Sequence, residues 1–397
     1  MIHSINTSST SFKCIQINLR HSRAAALHLS QLLLDMDVDV AFIQEPYATL
    51  NPSPSLKYVP DGYIQLHSLS ADHAYGAAIV VKRIHNPTLL PLAVNNCAAG
   101  AEITVGSQKF FLLSIYCRPS IKDLQSFLLT LSSSISPQMA GHLILCTDSN
   151  AMNPLWNSKA LDDKGRTMEE FCRAIGLSVA NIELRHLSHI PSNTSFPDIT
   201  LIGDDVAVSE WKFLDVPSLS DHPYIYFSLV INVGKPASQT RKMLPRLETC
   251  SIDDFISSLE SELCNLPALD PYGPVQTDDI DIHISDLIKL LSSCAISSKL
   301  PSHPSLAKGR MPWWSDELWA LRHQLRRTYQ AMVSFPSVEN SESYSLHKAN
   351  YQRRLRERKT ESWKEFCTNN FNGDLFGAIR RLADPAANQC PPPLIKK

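Results

Sequence analysis

Asp221 and His222 stand side by side in LSDHPYIYFSL, residues 219–229, at the mouth of a run rich in β-branched and aromatic residues. Alone, such a pair is the polar turn before a buried strand. Other apolar runs of the chain end in the same kind of residue. Asn18 follows CIQI, Glu45 follows DVAFIQ, Tyr116 closes FFLLSIY, Asp148 and Asn150 follow HLILCT, and Asp198 adjoins ITLI. Singly, each has an ordinary reading: Glu45 before Pro46 ends a strand, Asn150 is a turn or cap residue, Tyr116 is a core aromatic. As an ordered series at successive strand ends, where α/β sheets build their sites, they suggest a shared centre.

Such a set suits hydrolysis of a phosphodiester. A hard divalent cation takes one or two carboxylates and keeps several waters, and Glu45 with Asp221 could supply them. His222 could handle the proton of the attacking water or stabilise the charge on phosphorus, if Asp198 accepts from its other ring nitrogen and fixes the tautomer. Asn150, Asn18 and the Tyr116 hydroxyl are suited to hold phosphate oxygens.

The elements that must position these groups alternate between strand and helix from Ser11 to about Val230, the pattern of a layered α/β domain. Residues 14–19 predict a strand, Ala26, Leu29, Leu33 and Met36 recur at helical spacing, and residues 39–45 predict the next strand. Residues 77–81, 101–105, 110–116 and 142–148 come next as strands. Residues 123–131 and 167–175 read as helices, the second opened by Thr167 with Glu170 as a capping box. Short strands near residues 198–202, 211–216 and 224–229 close the domain, so the chemistry should not need the chain beyond residue 230. The triplet GDD at 203–205, which resembles a polymerase signature, comes directly after one of these strands and reads as a turn.

The rest of the chain differs in composition. Residues 247–288 hold ten acidic residues and no Lys or Arg. Between Arg322 and Lys364, ten Lys and Arg against four Glu leave a surplus of +6, interleaved with aromatics from Tyr329 to Trp363 and preceded by Trp313, Trp314 and Trp319. That mixture has two readings, a solvated helix face or a surface that contacts phosphates and stacks on bases. Over all 397 residues, 37 Lys and Arg oppose 39 Asp and Glu, so overall charge argues neither for nor against nucleic acid. The ten cysteines have no CxxC pair or zinc-site spacing, which fits reduced thiols. No signal-peptide core and no apolar stretch of about 18 residues is present, so a soluble intracellular protein without a membrane partner is expected.

Taken together, INL, QEP, SIYCRP, TDSNAMNPLW, FPDITL and LSDH, in this order, resemble the endonuclease/exonuclease/phosphatase superfamily. More narrowly, INLRHSRAA, NAMNPLWNSK and DDKGR resemble the apurinic/apyrimidinic-endonuclease-like domain of non-LTR (LINE-like) retrotransposon polyproteins. PWWSDELWALRHQLRR and YQRRLRERKTESWKEFC resemble the linker those polyproteins carry before a reverse transcriptase. The resemblance implies an α/β four-layer sandwich of two mixed β-sheets flanked by helices, followed by a mostly helical linker region. It implies domains at residues 12–230, 231–310 (acidic, partly helical) and 311–397 (basic, helical), after a disordered start over 1–11, with the chain ending before the polymerase.

The resemblance also assigns roles. Glu45 matches the metal-binding glutamate, Asp221 a second metal-proximal carboxylate, Asp148 the acid that activates water and His222 the catalytic histidine. Asp198 matches the acid that orients it, Asn150 and Asn18 the phosphate-binding amides, and Tyr116 the phosphate-contacting tyrosine. Pro197, where an aliphatic residue is usual, removes a ladder donor beside Asp198. The implied activity is Mg²⁺-dependent nicking of target DNA, with Mn²⁺ as the alternative ion, leaving a 3′ hydroxyl that primes reverse transcription. The implied partners are that DNA and, through the basic tail, element RNA, in nucleus and cytoplasm. An abasic-site repair endonuclease, an inositol phosphatase and an inactive nucleic-acid-binding relic are the rival readings.

Overall fold

The computed structural model describes residues 10–49, 53–70, 76–94, 96–106, 108–121, 123–191, 196–231, 251–264, 286–291, 293–295, 297–298 and 309–370. In chain order the first sheet is built from β1 (Thr10–Asn18), β2 (Val40–Gln44), β5 (Tyr63–His67), β6 (Ala77–Lys82), β13 (Ala207–Phe213) and β14 (Ile225–Ile231). The second is built from β7 (Thr88–Leu90), β8 (Ala98–Val105), β9 (Gln108–Tyr116), β10 (Leu143–Asp148), β11 (Ser178–Val179) and β12 (Asp198–Ile202). A two-stranded ribbon, β3 (Ala48–Thr49) and β4 (Ser55–Leu56), lies between β2 and β5 in sequence.

The strand orders are β13-β14-β1-β2-β6-β5 and β11-β12-β10-β9-β8-β7, both mixed. Phe42, Ile79, Ile103, Leu112, Ile144, Trp211 and Phe227 fill the space between the sheets. Helices α2 (Leu124–Ser132) and α4 (Asp163–Ile175) cover the outer face of the second sheet through Leu128, Leu131, Met168 and Phe171. Helix α1 (Arg23–Asp35) covers the first. These are the four layers expected.

Every residue of α1 from Ala24 to Leu33 is buried, the polar His28 and Gln31 included. A helix buried all round needs cover on both sides. One side meets the sheet. Over the other lie α6 (Asp316–Ser334) and α7 (Val338–Asn370), a hairpin whose Leu318, Leu325, Tyr351 and Leu355 share the α1 core with Trp313 and Trp314. The remaining helices are the short α3 (Pro137–Ala140) and α5 (Ile252–Leu263). Gln31 accepts from Met311 N at 2.9 Å and donates to Gly309 O at 2.8 Å, so the incoming chain finds its polar partners on α1. Burying side chains of this size contributes about 1.5–3 kcal/mol each. The described residues from 10 to 231 and from 309 to 370 accordingly fall in one unit, and those from 251 to 298 in another, of which α5 is the main described element.

Several boundaries differ from those expected. Helix α4 opens one turn earlier than the Thr167 and Glu170 box suggests, because Asp162 caps it by accepting from Gly165 N at 2.7 Å. Strand β13 starts at Ala207 rather than Trp211, and β8 at Ala98 rather than Ala101. Thr10 and Ser11, expected in a disordered start, pair with Ile231 and Val230 in β1, and residues 1–9 lie outside the described residues. So do residues 371–397 and most of the acidic stretch. The GDD triplet forms the turn from β12 to β13, with Gly203 N bonded to Leu143 O at 2.9 Å.

Candidate functional site

Topology alone brings the strand ends together. β1 and β2 run parallel with Asn18 opposite Gln44, and β14 runs antiparallel to β1, so the loop before β14 sits at the C-terminal end of β1. In the second sheet Asp148 lies opposite Tyr116 of parallel β9 and opposite Asp198 of antiparallel β12. Behind these ends the sheets are pinned to each other. Gln16 donates to Thr147 O at 3.1 Å, Gln44 donates to Ser114 Oγ at 3.0 Å, and Thr200 Oγ1 donates to Gln16 Oε1 at 3.1 Å. Bonds of this kind inside a packed core fix one lateral alignment.

His222 is the centre of the cluster. Its Nδ1–H donates to Asp198 Oδ2 at 2.8 Å, and its Nε2 stands 3.8 Å from Asp148 Oδ2. Asn18 Nδ2 donates to that same Asp148 oxygen at 2.8 Å. Asp148 and Asp198 are buried, and the second oxygen of each, Oδ1, makes no hydrogen bond among the described residues. Burial, then the neighbouring Asp198, push the Asp148 carboxyl well above the usual carboxylate range, against the opposing pull of His222 and Asn18. Burial alone would depress the His222 ring, but the charge and hydrogen bond of Asp198, aided by Asp148 and Glu45, raise it. Burial thus favours a proton on Asp148, and the Asp198 charge favours one on His222.

Tyr116, buried at the end of β9, donates to Glu45. Burial and the Glu45 and Asp148 charges keep its phenol protonated, so it remains a donor. Asn150 takes the left-handed conformation at φ 46° and donates to Cys117 O at 2.9 Å. Asp221 is exposed and pairs with Arg20. The structure therefore gathers Asn18, Glu45, Tyr116, Asp148, Asn150, Asp198 and His222, and pairs Asp221 with Arg20.

The Pro197 departure does not displace Asp198. The lost donor is offset by the Pro197 carbonyl, which accepts from Ser149 N at 2.9 Å and from Ser149 Oγ at 2.7 Å. Three contributors were not singled out from sequence. Ser149 holds this turn, Ser220 Oγ donates to Asn18 O at 2.7 Å, and Arg20 pairs with Asp221. Their signal was adjacency, since each is within two residues of a singled-out residue. Arg20, His21, Glu45, Asn150 and Leu219 all have positive φ, between 44° and 60°. Non-glycine residues held this way store about 1–3 kcal/mol each and cluster at functional sites.

The donor set fits a hard divalent cation. Asp148, Asp198 and His222 offer ligand atoms within 4.8 Å of one another, and two buried carboxylate oxygens await a partner. Glu45, beside Tyr116, lies at the same mouth and adds a further oxygen donor.

Comparison with known proteins agrees with this picture. Residues 110–226 match the family described as endonuclease-reverse transcriptase. The Pol polyprotein of the type-1 retrotransposable element R1 of Bradysia coprophila is 21% identical over 359 residues, covering 82% of this chain and 34% of the polyprotein. A 115 kDa protein of element R1DM of Drosophila melanogaster is 24% identical over 340 residues, covering 80% and 31%. The chain thus spans about a third of the length of the curated relatives it matches. The endonuclease domain of TRAS1, a telomere-specific non-LTR retrotransposon, superposes on 55% of this chain and 99% of its own with a TM-score of 0.47 and 23% identity. No described helix is long and apolar enough to cross a membrane. Residues 110–226 thus match that family's model, and about four fifths of the chain is similar to the two R1 retrotransposon proteins.

Proposed function

We propose that the domain is an endonuclease that hydrolyses a phosphodiester of target DNA with a bound divalent cation, Mg²⁺ by the hardness of its ligands, and leaves a 3′ hydroxyl from which element RNA is reverse transcribed. The observation that carries this reading is His222 held between Asp198 at 2.8 Å and Asp148 at 3.8 Å, at the end of the sandwich shared by both sheets.

Asp198 fixes the His222 tautomer and stabilises its charged form, so that Nε2–H points into the site as a donor to a phosphate oxygen. Asp148, kept basic enough to hold a proton near neutrality, takes one from the attacking water as its oxygen bonds to phosphorus. The P–O3′ bond breaks with its electron pair on oxygen, which takes a proton from solvent water to become the 3′ hydroxyl. Asn18 orients Asp148, and Tyr116 orients Glu45. Glu45 with the free oxygens of Asp148 and Asp198 would hold the cation, which when bound neutralises phosphate charge. Asn150 would turn its amide from Cys117 O to the phosphate. Action on target DNA makes the nucleus the working compartment.

The test is plasmid nicking with and without Mg²⁺, with the new ends mapped by primer extension. Nicks with extendable 3′ ends that vanish on chelation are expected. Turnover of an abasic duplex or of inositol phosphates in preference to intact plasmid would instead favour one of the rival phosphodiesterases.

A further inference from the structure

We propose that the helical hairpin of residues 309–370 is a positioning brace for the site, holding the loops of the first sheet that carry Glu45 and His222. Three separate contacts converge on those loops. Beside Glu45, Tyr47 stacks on Tyr58 at 5.8 Å between centroids, and Tyr58 meets Trp313 edge-on at 5.8 Å. Lys359 of α7 lies over both rings, 4.6 Å from Trp313 and 5.8 Å from Tyr58. A half-buried ammonium over two aromatic faces is an attraction of about 1–2 kcal/mol.

Beside His222, Tyr224 and Tyr351 of α7 approach His28 of α1 edge-on, at 6.0 and 5.8 Å. All three rings are fully buried. Tyr224 is two residues from His222, so α7 reaches the histidine loop through one intervening ring. At the far side of that loop Asp215 accepts from Gln330 and, at 3.4 Å, from Arg326 of α6. Tyr329 meets His189 edge-on at 5.9 Å on the adjoining turn.

No contact of the hairpin with a reacting group is seen among the described residues, yet it closes on segments that flank two of them, Glu45 and His222. Site geometry of this kind tolerates little drift, since a displacement of about 1 Å can cost on the order of a hundredfold in rate. The loops themselves have positive-φ residues at Arg20, His21, Glu45 and Leu219, conformations that persist where surrounding contacts over-determine them.

The kinetic arm of the test rests on the nicking activity proposed above, and the spectroscopic arm does not. In the full chain, Arg326→Gln removes the contact to Asp215, and Lys359→Met removes the charge over Tyr58 and Trp313 while keeping a similar chain length. Leu128→Ala, in α2 on the opposite outer layer, is the control for general loosening. The His222 Nδ1–H resonance of histidine-labelled protein, assigned by its loss in His222→Gln, reads the site directly. Arg326→Gln and Lys359→Met are expected to shift or broaden that resonance and to lower kcat about tenfold with KM unchanged, with Arg326→Lys restoring both, while circular dichroism stays that of the folded chain. An unchanged resonance and kcat in both hairpin variants, or the same shift in Leu128→Ala, would overturn the brace. If the wild-type chain does not nick DNA, the activity reading fails and the resonance alone decides.

Discussion

Between Asp198 and Asp148, the His222 ring is held charged by one carboxylate and pointed at the other. Replacing Asp198 by Asn removes the largest influence that raises the ring, so in metal-free protein His222, raised to about 9, should titrate closer to the ordinary histidine value. At neutral pH the variant ring is then mostly neutral, and nicking should fall and shift its optimum to lower pH. Titration by NMR and a pH–rate profile check the sign, and an unchanged profile at full rate sinks the role of Asp198. Glu45→Ala and His222→Ala should each lower the rate by about a hundredfold or more, and the double variant by less than the product, because groups that act as a unit are not additive. Seven of the eight residues singled out from sequence converge, since a residue at a strand end is placed by topology as soon as the strand is recognised. Asp221 was not legible in the same way. It sits in an exposed turn, where a neighbour at a strand end, Arg20, captures it, and nothing in the pattern LSDH foretells that.

Helix α1 shows what periodicity could and could not say. The spacing of Ala26, Leu29 and Leu33 marks the face toward the sheet, but Leu27, His28 and Gln31 are buried as well, under a hairpin almost 300 residues further on, Gln31 and Met311 being 280 apart. Local pattern holds no information about so distant a cover. For the same reason Trp313, Trp314 and Tyr351, open to a base-stacking reading in the sequence, prove to be core residues, while Trp319 and Trp363 keep about half their surface. A fragment ending near residue 232, expected from the sequence to be complete, should therefore melt lower than the full chain and expose an apolar face that binds a hydrophobic dye. Equal melting temperatures would show that α1 needs no cover. The same interface carries a pH signature. Burial first, then the Arg322 charge, depress His28 to about 3, while the unfolded ring titrates near 6.5. The unfolded state thus binds the proton first, and this contribution is intact above about 6.5 and lost as pH falls toward 3, by about 1.4 kcal/mol per unit. Urea unfolding at pH 7 and pH 5 should differ by roughly 2 kcal/mol more in wild type than in His28→Leu.

Across the whole molecule, the basic stretch spends much of its charge internally. Arg354 grips Glu317 through two bonds of 2.7 and 2.8 Å, Arg358 pairs with Glu361 at 2.7 Å, Arg353 with Glu357 at 2.7 Å and Arg322 with Asp35 at 2.6 Å. Each phosphate contacted adds about 0.9 to the log–log salt slope of binding. Arg354→Gln with Arg358→Gln should accordingly change the DNA salt slope by less than about one unit while lowering the melting temperature. A drop of two units or more would mean that these guanidiniums leave their partners for phosphates, and would favour the nucleic-acid surface read from composition. One further consequence lies in the pairing of the first strand with the last. Ser220 bonds to Asn18 across 202 residues, and β1 has β14 as its antiparallel neighbour. During synthesis at roughly 5–20 residues per second, β1 leaves the ribosome on the order of ten to forty seconds before the strand that completes its pairing. A nascent chain therefore has neither a closed first sheet nor an assembled His222 centre, so the proposed nuclease activity can arise only after nearly the entire domain has been made, and until then one edge of β1 stands open to pairing with other chains.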